Sequence, residues 1–101
     1  MAILNAIVYQ EDGKYYAECY EIAQIGVGDT KELAELDMMT GILNLKALSS
    51  KGEASFLNAG KASRRCRVVL ENIITSDTDS QPRVRKEENI EVHFYDESPD
   101  K

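Results

Sequence analysis

The sequence has 101 residues, of which 43% are hydrophobic and 30% charged, and its net charge is −6. That length suits one hydrophobic core rather than two, and an acidic surface repels the phosphates on which most nucleic-acid affinity rests, so direct DNA or RNA binding is not expected. The two cysteines, Cys19 and Cys66, lie far apart and form no CxxC pair, which excludes a disulfide scaffold and fits a reducing compartment.

Residues 1–9 are apolar but lack a basic lead and soon reach Glu11 and Asp12. They are too short for a signal peptide or a membrane span, so a cytoplasmic protein with no membrane contact is expected. Residues 3–9 (ILNAIVY) and 15–20 (YYAECY) read as strands around the turn dipeptide Asp12-Gly13, which predicts a hairpin. On the second strand Tyr15, Ala17 and Cys19 share one face and Tyr16, Glu18 and Tyr20 the other. A short third strand is expected around Ile25 and Val27, where Gly26 and Gly28 would let another element come close.

Asp29-Thr30-Lys31-Glu32 predicts a helix start, with Asp29 as cap and Glu32 completing a capping box, or Thr30 as cap instead. The helix should run to about Leu48. It carries two apolar stripes: Leu33, Leu36, Met39, Leu43 and Ala47, and, roughly opposite, Ala34, Met38, Ile42 and Leu45. Glu32, Glu35 and Lys46 separate them on one side, and Asp37, Thr40 and Asn44 on the other. One stripe must cover the sheet. The second faces either the rest of the chain or another protein, and Met38, Ile42 and Leu45 are the candidate oligomer interface.

Residues 49–65 read as a linker in which Phe56-Leu57 could anchor a loop or short helix. Residues 66–75 (CRVVLENIIT) read as a strand, although Cys66, Val69, Leu70 and Ile73 also fit a helical stripe. A polar loop follows to Pro82, then a basic stretch, Arg83 to Lys86, and the acidic Glu87-Glu88. Residues 90–95 (IEVHFY) alternate as a half-buried strand, with Ile90, Val92 and Phe94 inward and Glu91, His93 and Tyr95 outward. The expected organisation is a single domain over 1–101: a β-β-β-α core (1–48), a linker (49–65), C-terminal strands (66–95) and a flexible tail (96–101).

The opening strand, the turn Glu11-Asp12-Gly13, the strand Tyr15-Tyr16-Ala17-Glu18, and Gly28-Asp29-Thr30 leading into a helix with Glu32 and Ala34 resemble the HicB-like antitoxin family. The resemblance covers roughly residues 3–48. It implies an α+β fold of β-β-β-α-β order, a partial RNase H-like sheet covered on one face by one long helix, with an extra C-terminal strand here. It also implies a protein that binds and silences a small basic RNA-cleaving toxin and that oligomerises. No helix-turn-helix or ribbon-helix-helix pattern is found in residues 49–101.

No catalytic, cofactor or metal set is expected, and the chain is read as a non-enzyme. The single histidine, His93, sits mid-strand beside Glu91 and Tyr95 and is expected to be solvated or structural. Hairpin geometry scatters Glu11, Asp12, Glu18 and Glu21, where metal-dependent hydrolysis needs convergent acids. Gly26 to Thr30 lacks the third Gly and the Lys of phosphate-binding turns. Cys66 lies near Arg64, Arg65 and Arg67, which would favour a thiolate, but a buried inert thiol is the expected state. With Lys61 these arginines form one basic patch, and Arg83, Arg85 and Lys86 form a second that could meet acids across a dimer. The acids Glu11, Asp12, Glu18 and Glu21, with Tyr16 and Tyr20, are the candidate surface for a basic partner. The alternative is a homo-oligomeric structural or regulatory protein without a toxin, held by the Met38 stripe and by pairing of the 90–95 strand between chains.

Overall fold

The computed structural model describes residues 2–48, 63–75 and 81–97. In chain order its elements are β1 (Ala2–Glu11), β2 (Lys14–Cys19), β3 (Ile25–Gly28), α1 (Lys31–Leu48), α2 (Arg64–Thr75), β4 (Arg83–Glu87) and β5 (Ile90–Asp96). The strands form one five-stranded sheet in the order β3-β2-β1-β5-β4. All neighbours are antiparallel except β1 and β5, which run parallel. The fold is α+β, and its first half follows the expected β-β-β-α order.

β1 occupies the centre because it can be buried on both sides: Leu4, Ala6, Ile7 and Val8 are all sealed from solvent. A strand covered on both faces reads as a continuous apolar run rather than an alternation. Asp12 and Gly13 both take positive φ, 55° and 80°, as a two-residue type I′ hairpin requires. β2 then returns with Ala17 and Cys19 on one face and Glu18 on the other.

α1 lies on the face that carries Leu4, Ala6, Val8, Ala17, Cys19, Ile90, Val92 and Phe94, and adds Ala34, Met38, Met39 and Ile42 to that core. Its cap is Thr30, whose Oγ1 accepts the Leu33 N–H at 3.1 Å. Asp29 pairs with Lys14 at 3.1 Å instead. The close approach foreseen at β3 is real: a Cβ on Gly26 would collide with the backbone of Ala34 and Met38, and one on Gly28 with Leu33 and Ala34. The approach is made by the helix backbone at Leu33, Ala34 and Met38, and the Ala34, Met38 and Ile42 side chains turn into the core.

That result corrects the expected oligomer interface. Met38 and Ile42 have no solvent exposure within the single chain, and Leu45 packs against the same core. Of the other stripe, Met39 is buried and Leu43 packs on the core, and Leu33 and Leu36 at its start are about half exposed, at 51% and 48%.

Residues 66–75 form a helix, not a strand, so the sheet carries a second helix on its opposite face. Cys66 and Leu70 of α2 are buried there against Ile7, with Tyr9, Tyr20, Val69 and Tyr95 around them. Valine and isoleucine favour strands, but the apolar spacing at Cys66, Val69, Leu70 and Ile73 is helical, and packing overrides propensity. Ser63 caps this helix, its hydroxyl accepting the Cys66 N–H at 3.2 Å. The remaining C-terminal strand is β4, in the charged stretch before β5. Phe56, Leu57 and Lys61 lie outside the described residues, as does most of the expected linker. β5 is flanked by β1 and β4, so it has no free edge with which to pair between chains.

Candidate partner surface

The acids chosen as a binding surface are not brought together. Glu18 is 3% exposed and accepts hydrogen bonds from the Ser63 N–H at 2.8 Å and the Ser63 hydroxyl at 2.9 Å. It therefore ties the start of α2 to the sheet, and the Cys66 thiol donates to its carbonyl oxygen at 3.5 Å. Glu21 accepts from the backbone N–H and the side-chain amide of Asn5, both at 2.8 Å, and so fixes the chain after β2 against β1. Glu11 is exposed and pairs with Arg65 at 3.2 Å. Asp12 is exposed in the hairpin turn. Tyr16 stacks on Tyr9 with ring centroids 5.4 Å apart. Tyr20 packs under α2. Four of these six residues thus hold the fold together, which corrects their reading as one partner surface.

Both cysteines are buried, and burial pushes each thiol up to about 12. The arginines beside Cys66 in sequence do not produce a thiolate. His93 Nε2 lies 2.6 Å from Glu91 Oε2, and that hydrogen bond holds the Glu91 carboxyl below its ordinary range. Among the described residues no group of three or more His, Cys, Asp or Glu is placed to hold a metal ion. No described helix is long and apolar enough to cross a membrane.

The second basic patch is spent inside the chain. Glu35 of α1 is fully buried. It accepts from Arg83 Nε at 2.9 Å, from the same guanidinium's Nη2, and from Arg85 Nε at 2.8 Å. Arg83 also clamps both oxygens of Asp96 at 2.8 Å. A buried charge needs such partners, and this set locks α1 to the β4–β5 hairpin.

Two surface hollows lie among the described residues. The first, of about 440 Å³, lies where β1 and β5 end, between the first turns of both helices, and is lined by Tyr9, Tyr15, Lys31, Arg65, Asp96 and Glu97 among others. Ligands often bind beyond the carboxyl ends of parallel strands. Here, however, the charges satisfy one another. Arg65 lies 3.9 Å over the Tyr9 ring and 2.7 Å from Glu97, and Lys31 is 3.5 Å from Asp96. Burial raises the Tyr9 hydroxyl above its usual range, with Glu18 adding to the effect. This hollow is a latch between helices and sheet.

The second hollow, of about 650 Å³, is an open groove between α1 and the sheet edge. Its apolar floor is Val27, Gly28, Leu33 and Leu36. Asp29, Asp37 and Thr40 stand around it, with Lys14 at one end. Val27 and, beside it, Ile25 are also well exposed. Apolar side chains on one face with acids beside them make this groove the candidate partner surface. The sequence held a partial signal for it: Gly26 and Gly28 announce that another element comes close to β3, and the second apolar stripe of α1 holds Leu33 and Leu36. Nothing in the sequence linked Glu18 to Ser63, which stands 45 positions away. Compared with known proteins, the chain matches no family model, no curated protein and no solved structure.

Proposed function

We propose that this chain is a non-catalytic, cytoplasmic protein-binding module of the antitoxin type, which takes up a small basic protein in the groove between α1 and β3. The observation that carries the reading is the pair of half-exposed leucines, Leu33 and Leu36, set beside Val27 under an acidic rim. Apolar contact supplies affinity in such a surface, and the acids favour a basic partner and speed the encounter. The net charge of −6 acts in the same direction at long range. The resemblance of residues 3–48 to the HicB-like antitoxins suggests the class of partner, and the exposed leucines of the groove support seating it there. The β-β-β-α order, followed by a strand that returns beside β1, suits that resemblance. α2 is an addition to it.

The test is affinity capture from the native host, run in parallel with the unaltered chain and with the double variant Leu33→Glu, Leu36→Glu. Both side chains are exposed, so the variant should fold, with stability changed by about 0.5 kcal/mol or less. A small basic protein recovered in equal amount with the unaltered chain and lost from the variant is the expected result. Equal recovery by both chains, or recovery of no such protein, would overturn the proposal.

A further inference from the structure

The two edges of the sheet are treated differently. At β3 the Val27 N–H, which is not used in pairing with β2, donates to Asp37 Oδ2 at 3.0 Å. A side chain from α1 thus occupies that edge, and strand addition there would have to displace it. At the other edge stands β4, paired with β5 on one side only. The β4–β5 loop has two residues, Glu88 and Asn89, closed by the pair Glu87 and Ile90. In such a hairpin the closing pair exchanges its hydrogen bonds and the bonded pairs then alternate. Arg83 and Arg85 therefore bond to β5, and the backbone groups of Val84 and Lys86 point outward. Among the described residues nothing bonds to them.

We propose that the β4 edge is a self-association site, at which two copies of the chain pair antiparallel to make one continuous sheet. The side-chain order Arg83-Val84-Arg85-Lys86-Glu87 is complementary to itself when the two-fold axis passes through Arg85. Val84 then faces Lys86 of the second copy, and each such pair exchanges both backbone bonds. Arg83 faces Glu87 of the second copy on the same side of the sheet, an attractive cross-strand pair. The two Arg85 side chains meet at the axis, but each is already held by its own Glu35 at 2.8 Å. Lys86 is a common guard on an edge strand. Here its ammonium leans back towards Glu91 of its own chain, 3.9 Å away. The neighbouring registers fail: an axis at Lys86 sets two lysines face to face, and an axis at Val84 sets Lys86 against Pro82, which has no N–H to give. The groove at the opposite edge stays free in such a dimer, so this inference does not depend on the proposed partner.

The test is sedimentation velocity of the full chain over a range of concentrations, with Val84→Pro and Glu87→Arg alongside. Val84→Pro removes an outward N–H and no bond to β5, so it should leave the circular dichroism unchanged and abolish a concentration-dependent dimer. Glu87→Arg replaces two attractive cross-strand pairs by repulsive ones and should raise the dimer dissociation constant at least about tenfold. If Val84→Pro fails to fold, Glu87→Arg alone decides. A chain that stays monomeric at the highest concentration would overturn the inference. So would a dimer indifferent to Glu87→Arg, or one lost on Leu36→Glu instead.

Discussion

Asp96 ends β5 between two cations. Arg83 donates to both of its oxygens at 2.8 Å, and Lys31 stands 3.5 Å away. The hydrogen bonds from Arg83 hold its carboxyl below the usual aspartate range, and the same bonds push the Arg83 guanidinium up. A carboxyl whose folded-state pKa is depressed stabilises the fold fully above its unfolded value. It loses that contribution as pH falls through the folded value. Stability of the unaltered chain should therefore drop on acidification below about pH 4 more steeply than that of Asp96→Asn, as read from urea unfolding. Parallel slopes would mean that the Arg83 clamp contributes nothing to folding. The sequence shows Asp96 only as the start of a charged tail, because its role depends on Arg83 reaching it across a strand pair. Glu18 and Glu35 are further cases. Each is an acid that pattern alone places in water, and each is buried by a partner distant in the chain. Reversing the charge at Glu18 would expel the cap of α2, so it would report on folding rather than on a partner.

At the scale of elements, local rules carried the first half of the chain well. Asp12-Gly13 named its own hairpin, the glycines of β3 announced the close approach of another element, and Thr30 was among the foreseen caps. The second half was less legible for two physical reasons. α2 is rich in β-branched residues, so propensity and periodicity pointed in opposite directions, and only the sheet face under Cys66 and Leu70 settles the matter. β4 was hidden because its inward positions are Arg83 and Arg85, whose charge is neutralised by Glu35 and Asp96 rather than by water. Its turn was hidden as well. Glu88 takes a φ of 54° at the first central position, where a glycine usually signals a type II′ hairpin. That conformation costs an ordinary side chain about 1 kcal/mol or more. Glu88→Gly is accordingly expected to stabilise the protein by about 1 kcal/mol, seen as a higher urea midpoint with an unchanged slope. A lower midpoint would show that the Glu88 side chain makes a contact worth more than its strain.

For the molecule as a whole, the sheet separates two tasks. Its interior is closed by a helix on each face, and the fixing contacts are carried by buried carboxylates and their donors. Its two margins carry the proposed contacts: a groove of apolar side chains beside the edge that Asp37 occupies at β3, and the edge strand β4. A symmetric pair joined at β4 would carry its two grooves at opposite ends, each able to take a basic partner without hindering the other. The proposed function rests on the groove. The most direct measurement is hydroxyl-radical footprinting of the chain alone and in complex with the small basic protein it captures, read at Leu33 and Leu36. Both leucines are expected to lose most of their oxidation in the complex, while Ile3 and Val68, exposed elsewhere in the chain, keep theirs. Unchanged oxidation at Leu33 and Leu36 in a complex that has demonstrably formed would contradict the groove as the binding site.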